Sequence, residues 1–409
     1  MAVKKRTTRK PHPADAPDNV GRVTPKRLRI READNPLDLE VGGRLGPVDI
    51  EYETYGKLSR KKDNAILVAH ALSGDAHAAG WDDGADRGRD WRADRAGWWD
   101  AIIGPGKAID TNRYFVICAN YVGSCYGSTG PSSINPTTSL PYGATFPMVT
   151  VGDWVRTQAE LLDRLGIDKL VGVVGGSLGG QQAIEWGLRY PDRVASIMVL
   201  AASPRLSAQG LGFNAVGRYA IMNDPHYAEG HYYGGTTPSA GLAAARMLAH
   251  ITYLSEEGMH EKFGRRLRRK SRPDFHFDVE FEVESYLSHQ GLSFVQRFDA
   301  NSYLYITRAM DYYDPAQHWG GGDLAAACRR IACKVMVMSF SSDWLYPPAH
   351  CKEFAWALTR AGAPVTYVDI PSLFGHDAFL VETDQVGYYL SHFLKNVTDG
   401  GARGRAKKG

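Results

Sequence analysis

Cysteine is scarce in this chain. Five residues among 409 (Cys118, Cys125, Cys328, Cys333 and Cys351) make an odd number without a CxxC pair. That excludes a disulfide framework or a cysteine-rich zinc fold, so the thiols read as reduced, mostly buried small hydrophobes and the expected compartment is the cytoplasm. No apolar run approaches the ~20 residues that a membrane helix needs. The N-terminus lacks the apolar stretch of a secretory signal, and Pro11, Pro13 and Pro17 would break an amphipathic transit helix. HExxH, a P-loop and G-x-G-x-x-G are also missing, so neither a metal nor a tightly bound cofactor is expected. His70 and His77 have no ligand-spaced acid beside them and read as packed or loop histidines. No internal repeat is evident.

Charge of one sign is lacking as well. The chain holds 48 Lys and Arg against 45 Asp and Glu, a formal +3. Lys4, Lys5, Arg6, Arg9, Lys10, Arg403, Arg405, Lys407 and Lys408 lie in two acid-free termini, which leaves the body with 39 bases against 45 acids. A mildly acidic body has no basic folded face for nucleic acid.

What is present is ample apolar material, 44% of residues, in short β-rich runs that alternate with helical stretches. Runs at 65–69, 114–119, 170–174, 194–200, 334–340 and 364–370 are nearly continuous in apolar residues, as strands buried on both faces are. Residues 47–54 alternate like a half-exposed strand. Helical periodicity at 153–165, 179–190, 349–361 and 384–395 completes an α/β pattern, a mostly parallel sheet with helices on both faces. Residues 204–328 separate two predicted strands by far more than an ordinary connection and are rich in helix formers. They read as a helical insertion, either a lid over the carboxyl ends of the strands or a dimerisation element. The expected division is therefore a disordered basic tail (1–25), a core in two parts (26–203 and 329–397), the insertion (204–328) and a second disordered tail (398–409). Residues 80–98, with five Asp and four Arg among Gly and Trp, read as a solvated excursion without chemistry.

Strand 170–174 runs into Gly175-Gly176-Ser177-Leu178-Gly179 and then a helix, a G-x-S-x-G elbow in the strand–turn–helix context it requires. Such a turn exposes the serine hydroxyl above the sheet, and glycines are needed because a Cβ on the flanking residues would collide with the crossing elements. A serine needs a base. Asp343 follows the strand 334–340 and His376 follows 364–370, so the order Ser177, Asp343, His376 places nucleophile, orienting acid and base on one sheet edge. Asp377, adjacent to the histidine, is badly placed to hold its ring and is assigned to substrate. The oxyanion hole would use the N–H of Leu178 and one from the loop His70–Gly74, with Leu72 the candidate. Gly123-Ser124-Cys125-Tyr126-Gly127 is formally G-x-C-x-G, but a Ser-Thr-Gly-Pro loop follows where an elbow needs a helix. It reads as a pocket wall.

The blocks VVGGSLGGQQAIEW, GSCYGSTGPSSINP, FPMVTVGDWVRTQAELLDRLGI, SPRLSAQGLGFNAVGRYAI, SDWLYPP and GHDAFL together resemble the homoserine O-acyltransferases of methionine biosynthesis, from about residue 26 to 396. The resemblance implies an α/β-hydrolase fold with a helical lid. It also implies ping-pong transfer from acyl-CoA, a co-substrate rather than a cofactor, through an acyl-Ser177 to the hydroxyl of L-homoserine. Arg218 would take the amino-acid carboxylate and Asp377 the ammonium. Leu345, two residues after Asp343, stands where arginine accompanies succinyl-CoA use, which points to acetyl-CoA; succinyl-CoA, serine as acceptor, or simple esterase or thioesterase action are the alternatives. A homodimer through the lid helices is implied too.

Overall fold

The computed structural model describes residues 12–84 and 89–405, with side chains to residue 399. Eight strands form the main sheet: β1 (Lys26–Arg31), β2 (Val48–Tyr55), β3 (Ala65–Ala69), β4 (Phe115–Ala119), β5 (Gly172–Gly176), β6 (Ser196–Leu200), β7 (Lys334–Phe340) and β8 (Val365–Ile370). Their spatial order is β8-β7-β6-β5-β3-β4-β2-β1. The six strands from β8 to β4 run parallel, while β2 pairs antiparallel with both β4 and β1. Every residue of β3, β5 and β6 is buried, as expected where helices cover both faces of a parallel sheet.

The sequence reading has no counterpart to β1. Its residues are mostly basic, and only Ile30 faces fully inward. Exposed Lys26, Arg27 and Arg29 blunt an edge that would otherwise offer unpaired backbone groups.

On one face lie α1 (Val151–Leu165), α2 (Leu178–Arg189) and α10 (Pro348–Arg360), burying Trp154, Trp186, Ile184 and Phe354 against the sheet. Thr150 and Asp153 cap the start of α1 reciprocally, and Gly166, with φ 69°, ends it in the left-handed conformation. On the other face α12 (Thr383–Arg405) packs Val386, Leu390 and Leu394 with Met336, Met338 and Phe340. Between β6 and β7 the chain makes seven helices: α3 (Ala208–Met222), α4 (Ser239–Tyr253), α5 (Glu256–Lys262), α6 (Glu282–Val295), α7 (Ala300–Tyr312), α8 (Pro315–Gly320) and α9 (Leu324–Cys328). A short α11 (Ala378–Val381) precedes α12.

Three expectations change. The 1–25 tail is ordered from residue 12, because Arg22–Val23 pairs in parallel with Trp81–Asp82 and the Asn19 amide donates to the Asp100 carboxylate. The 398–409 tail begins as helix: α12 is already nucleated by its buried face and meets no proline, so its backbone stays helical to Arg405. Residues 1–11 and 406–409, with most of the terminal bases, lie outside the described residues. The third change concerns 80–98, where the described part is no solvated excursion. Arg92 is 2% exposed and bonds Glu53 at 2.8 Å, with Asp82 at 3.3 Å and Asp75 at 3.7 Å. Arg89 grips Glu51 through both terminal nitrogens, at 2.6 and 2.9 Å. The arginines of this stretch neutralise two glutamates that β2 buries, and its Asp82 shares Arg92 with them.

Candidate active site

At the end of β5 the backbone turns through Ser177, whose φ of 56° and ψ of −125° lie in a region that a side-chain-bearing residue adopts only under constraint. The glycines around it supply the room. A Cβ on Gly179 would sit 2.0 Å from the Ala69 carbonyl oxygen, and one on Gly176 would enter the Phe379 ring at 2.3 Å. Ser177 therefore stands at the N-terminal end of α2, above the carboxyl edge of the sheet.

Asp343 lies in the turn after β7. Its Oδ1 accepts the N–H groups of Leu345 (3.0 Å) and Tyr346 (2.8 Å), which fixes the carboxylate, and its Oδ2 accepts from His376 Nδ1 at 2.8 Å. Both side chains are buried. Burial lowers the His376 pKa, but the charge and hydrogen bond of Asp343 outweigh it and hold the imidazole above its ordinary 6.5. The ring is stacked on Tyr346 and meets Phe379 edge-on. Gly375, with φ 60°, lets the histidine turn pass close to the backbone of Leu254 and Ser255. Asp377 does not hold the histidine ring. It is half-buried, and burial raises its pKa although His376 and Arg246 oppose that.

The N–H groups of Leu72 and Leu178 donate to no acceptor among the described residues, whereas the Leu72 carbonyl accepts from Tyr121 Oη at 2.9 Å. Leu72 and Ser177 line one small cavity with Leu345, Tyr346 and side chains of α3, α4 and α7, among them Phe213, Asn214, Tyr253 and Tyr303. The inserted helices thus close over the serine. Arg218, on α3, is buried and not solvated: Nη2 pairs with Asp311 Oδ2 on α7 at 2.6 Å, while Nη1 is a buried donor without a partner. Asn214 binds the other Asp311 oxygen at 2.8 Å.

Two contributions were missed in the sequence. Asp311 orients Arg218, and nothing in its local pattern distinguishes it from other helix acids. The second is the ion network behind the loop that follows β3, where His77 Nδ1 bonds Glu53 at 2.9 Å and the His77 backbone N–H donates to Asp75 Oδ1 at 2.9 Å. The Gly123–Gly127 loop has a structural reason for its glycines, since a Cβ on Gly127 would overlap the Glu51 carboxylate. Burial also pushes the Cys125 thiol well up, away from thiolate chemistry.

This is the architecture of an α/β-hydrolase-fold protein, and that family, described as the alpha/beta hydrolase fold, matches residues 64–383. Homoserine O-acetyltransferase of Methanohalobium evestigatum is 51% identical over 93% of this chain and 75% of its own length. Homoserine O-succinyltransferase of Acidithiobacillus ferrooxidans is likewise 51% identical, over 95% of this chain and 99% of its own. The crystal structure of homoserine O-acetyltransferase from Bacillus anthracis superposes with a TM-score of 0.82 at 29% identity, covering 91% of this chain and 97% of that one. The chain belongs to the homoserine O-acyltransferase family. No described helix is long and apolar enough to cross a membrane.

Proposed function

We propose that this protein transfers an acetyl group from acetyl-CoA to the hydroxyl of L-homoserine in the cytoplasm, through an acyl-Ser177 intermediate. The carrying observation is the buried Asp343–His376 pair, whose imidazole stacks on Tyr346, a wall of the cavity that Ser177 and the inserted helices also line, in a chain whose relatives of half-identical sequence are homoserine acyltransferases. His376 takes the serine proton as Ser177 attacks the thioester. The tetrahedral oxyanion is received by the free N–H groups of Leu72 and Leu178, and CoA leaves as the thiol after protonation. Homoserine then enters, gives its hydroxyl proton to His376 and attacks the acyl-serine. Arg218 offers its unused Nη1 to the amino-acid carboxylate, and Asp377 faces the ammonium. The inserted helices keep water from the ester, which distinguishes transfer from hydrolysis.

Leu345 on the cavity wall supplies no cation for a second carboxylate, which favours acetyl over succinyl. A homodimer through the inserted helices accords with exposed Val216, Tyr219 and Met222 on α3. The decisive assay measures CoA release from acetyl-CoA and succinyl-CoA, with and without L-homoserine or L-serine. The expected result is sustained release from acetyl-CoA, beyond the one equivalent of the first half-reaction, that depends on homoserine, with all release lost in Ser177→Ala. Sustained release without an acceptor would make the protein a hydrolase, and a preference for succinyl-CoA or serine would replace the donor or acceptor named here.

A further inference from the structure

A second cavity, about 330 Å³, borders the same His70–Gly74 loop as the serine cavity. Leu72 lines one and Ser73 the other, so the two are separated by a single residue step. Two guanidiniums from the insertion line it, Arg246 on α4 and Arg297 in the turn between α6 and α7. Arg246 Nη1 donates to Ser73 Oγ at 3.2 Å, and Arg297 Nη1 donates to the Ser73 carbonyl at 3.0 Å and to Tyr126 Oη at 2.6 Å. The Phe294 ring packs against both, 4.6 Å from one and 5.1 Å from the other. Arg246 is 9% exposed. Among the described residues no carboxylate lies within 4.0 Å of either group, since Asp75 faces Arg92, and Asp377 acts on Arg246 only from farther away. Arg246 is buried and Arg297 half-buried, and like charges drawn out of water side by side without a counter-ion are costly unless an anion joins them. The same field is felt nearby: burial, then Arg246, Arg297 and Lys262, drive the His250 pKa down to about 3. The cavity wall also carries Trp91, whose ring lies 5.7 Å from the Arg297 guanidinium, Trp98 and exposed Arg95.

Resting on the reaction proposed above, we infer that this cavity seats the phosphate-bearing arm of the acyl-CoA, with Arg246 and Arg297 as its cationic lining and the two indoles available to the nucleotide base. A thioester whose carbonyl oxygen occupies the Leu72 and Leu178 N–H groups has this cavity next to it across Ser73. Guanidinium–phosphate contacts are charge-assisted and suit paired arginines.

CoA itself is the probe, because its binding by calorimetry needs no turnover. Arg246→Gln and Arg297→Gln should each weaken CoA about tenfold or more, the loss of one charge-assisted contact, and Arg297→Lys should recover part of it. Acetyl-CoA KM should rise in parallel, while homoserine KM moves less than about twofold and S-acetylpantetheine, which has no phosphate, is turned over as by the wild type. Arg95→Ala, at the exposed rim, supplies a variant whose folding is not in question and should also weaken CoA. Unchanged CoA affinity in these variants would overturn the inference, as would equal loss for S-acetylpantetheine. An effect confined to succinyl-CoA would transfer the arginines to the acyl carboxylate and overturn it too. Wild-type protein that binds CoA in an arginine-dependent way yet transfers no acyl group would sink the reaction and leave this site standing.

Discussion

Asp343 and His376 set the pH behaviour of the proposed chemistry. His376 must be neutral to accept a proton, and its pKa lies above 6.5 because Asp343 outweighs burial. Activity should therefore be lost as pH falls through a value above the ordinary imidazole one. The linkage to folding has the opposite limb: a raised folded pKa stabilises the protein below about 6.5, and that contribution disappears as pH rises through the folded value. Asp343→Asn removes the charge that raises the pKa while burial remains, so the acid limb of kcat/KM should move to lower pH. The rate should fall about 10³- to 10⁴-fold, as in other serine triads deprived of their acid. A pH–rate profile of both proteins checks this; an unmoved limb would show that another group titrates. The turns that carry Ser177, Asp343 and His376 were legible in the sequence, because each follows a recognisable apolar strand. Asp311 was not. Its role exists only because α7 lies beside α3.

At the scale of elements, α3 and α7 present Arg218 and Asp311 as one unit, with Asn214 holding the second carboxylate oxygen. The pair leaves one buried guanidinium nitrogen without a partner. Arg218→Ala should raise the homoserine KM by about tenfold or more, the loss of a charge-assisted contact. The first half-reaction, read as a burst of CoA release without acceptor, should continue nearly unchanged. Loss of the burst would mean that Arg218 supports the fold of the inserted helices rather than the acceptor. Strand β1 shows the limit of pattern reading at this scale. Its basic residues alternate with few apolar ones, so only its pairing with β2 identifies it.

Across the whole molecule, the network around Arg92 joins parts distant in sequence. It links β2 through Glu51 and Glu53, the segment after β3 through Asp75, and the 80–98 stretch through Asp82. Arg92→Met would leave Asp75 and Asp82 without their cation and Glu53 with His77 alone, while Arg89 still holds Glu51, at a cost of about 3–5 kcal/mol. Equilibrium denaturation should show that loss, and a cost below about 1 kcal/mol would mean that the acids reach water or protonate easily. Since Asp75 begins the turn behind Leu72, the same variant should also slow the first acyl transfer.

The alternation of apolar runs and helical periods determined the sheet, because strands covered on both faces must be apolar throughout, and glycine spacing determined the elbow, because no larger residue fits there. The resemblance blocks carried the family. Only the tertiary structure decided what becomes of the charges. Sequence shows mixed signs and suggests solvent, but whether a charge is hydrated, neutralised or left for a ligand depends on what folds against it. Folding neutralised Arg92, bound Arg218 halfway, and left Arg246 and Arg297 facing a cavity.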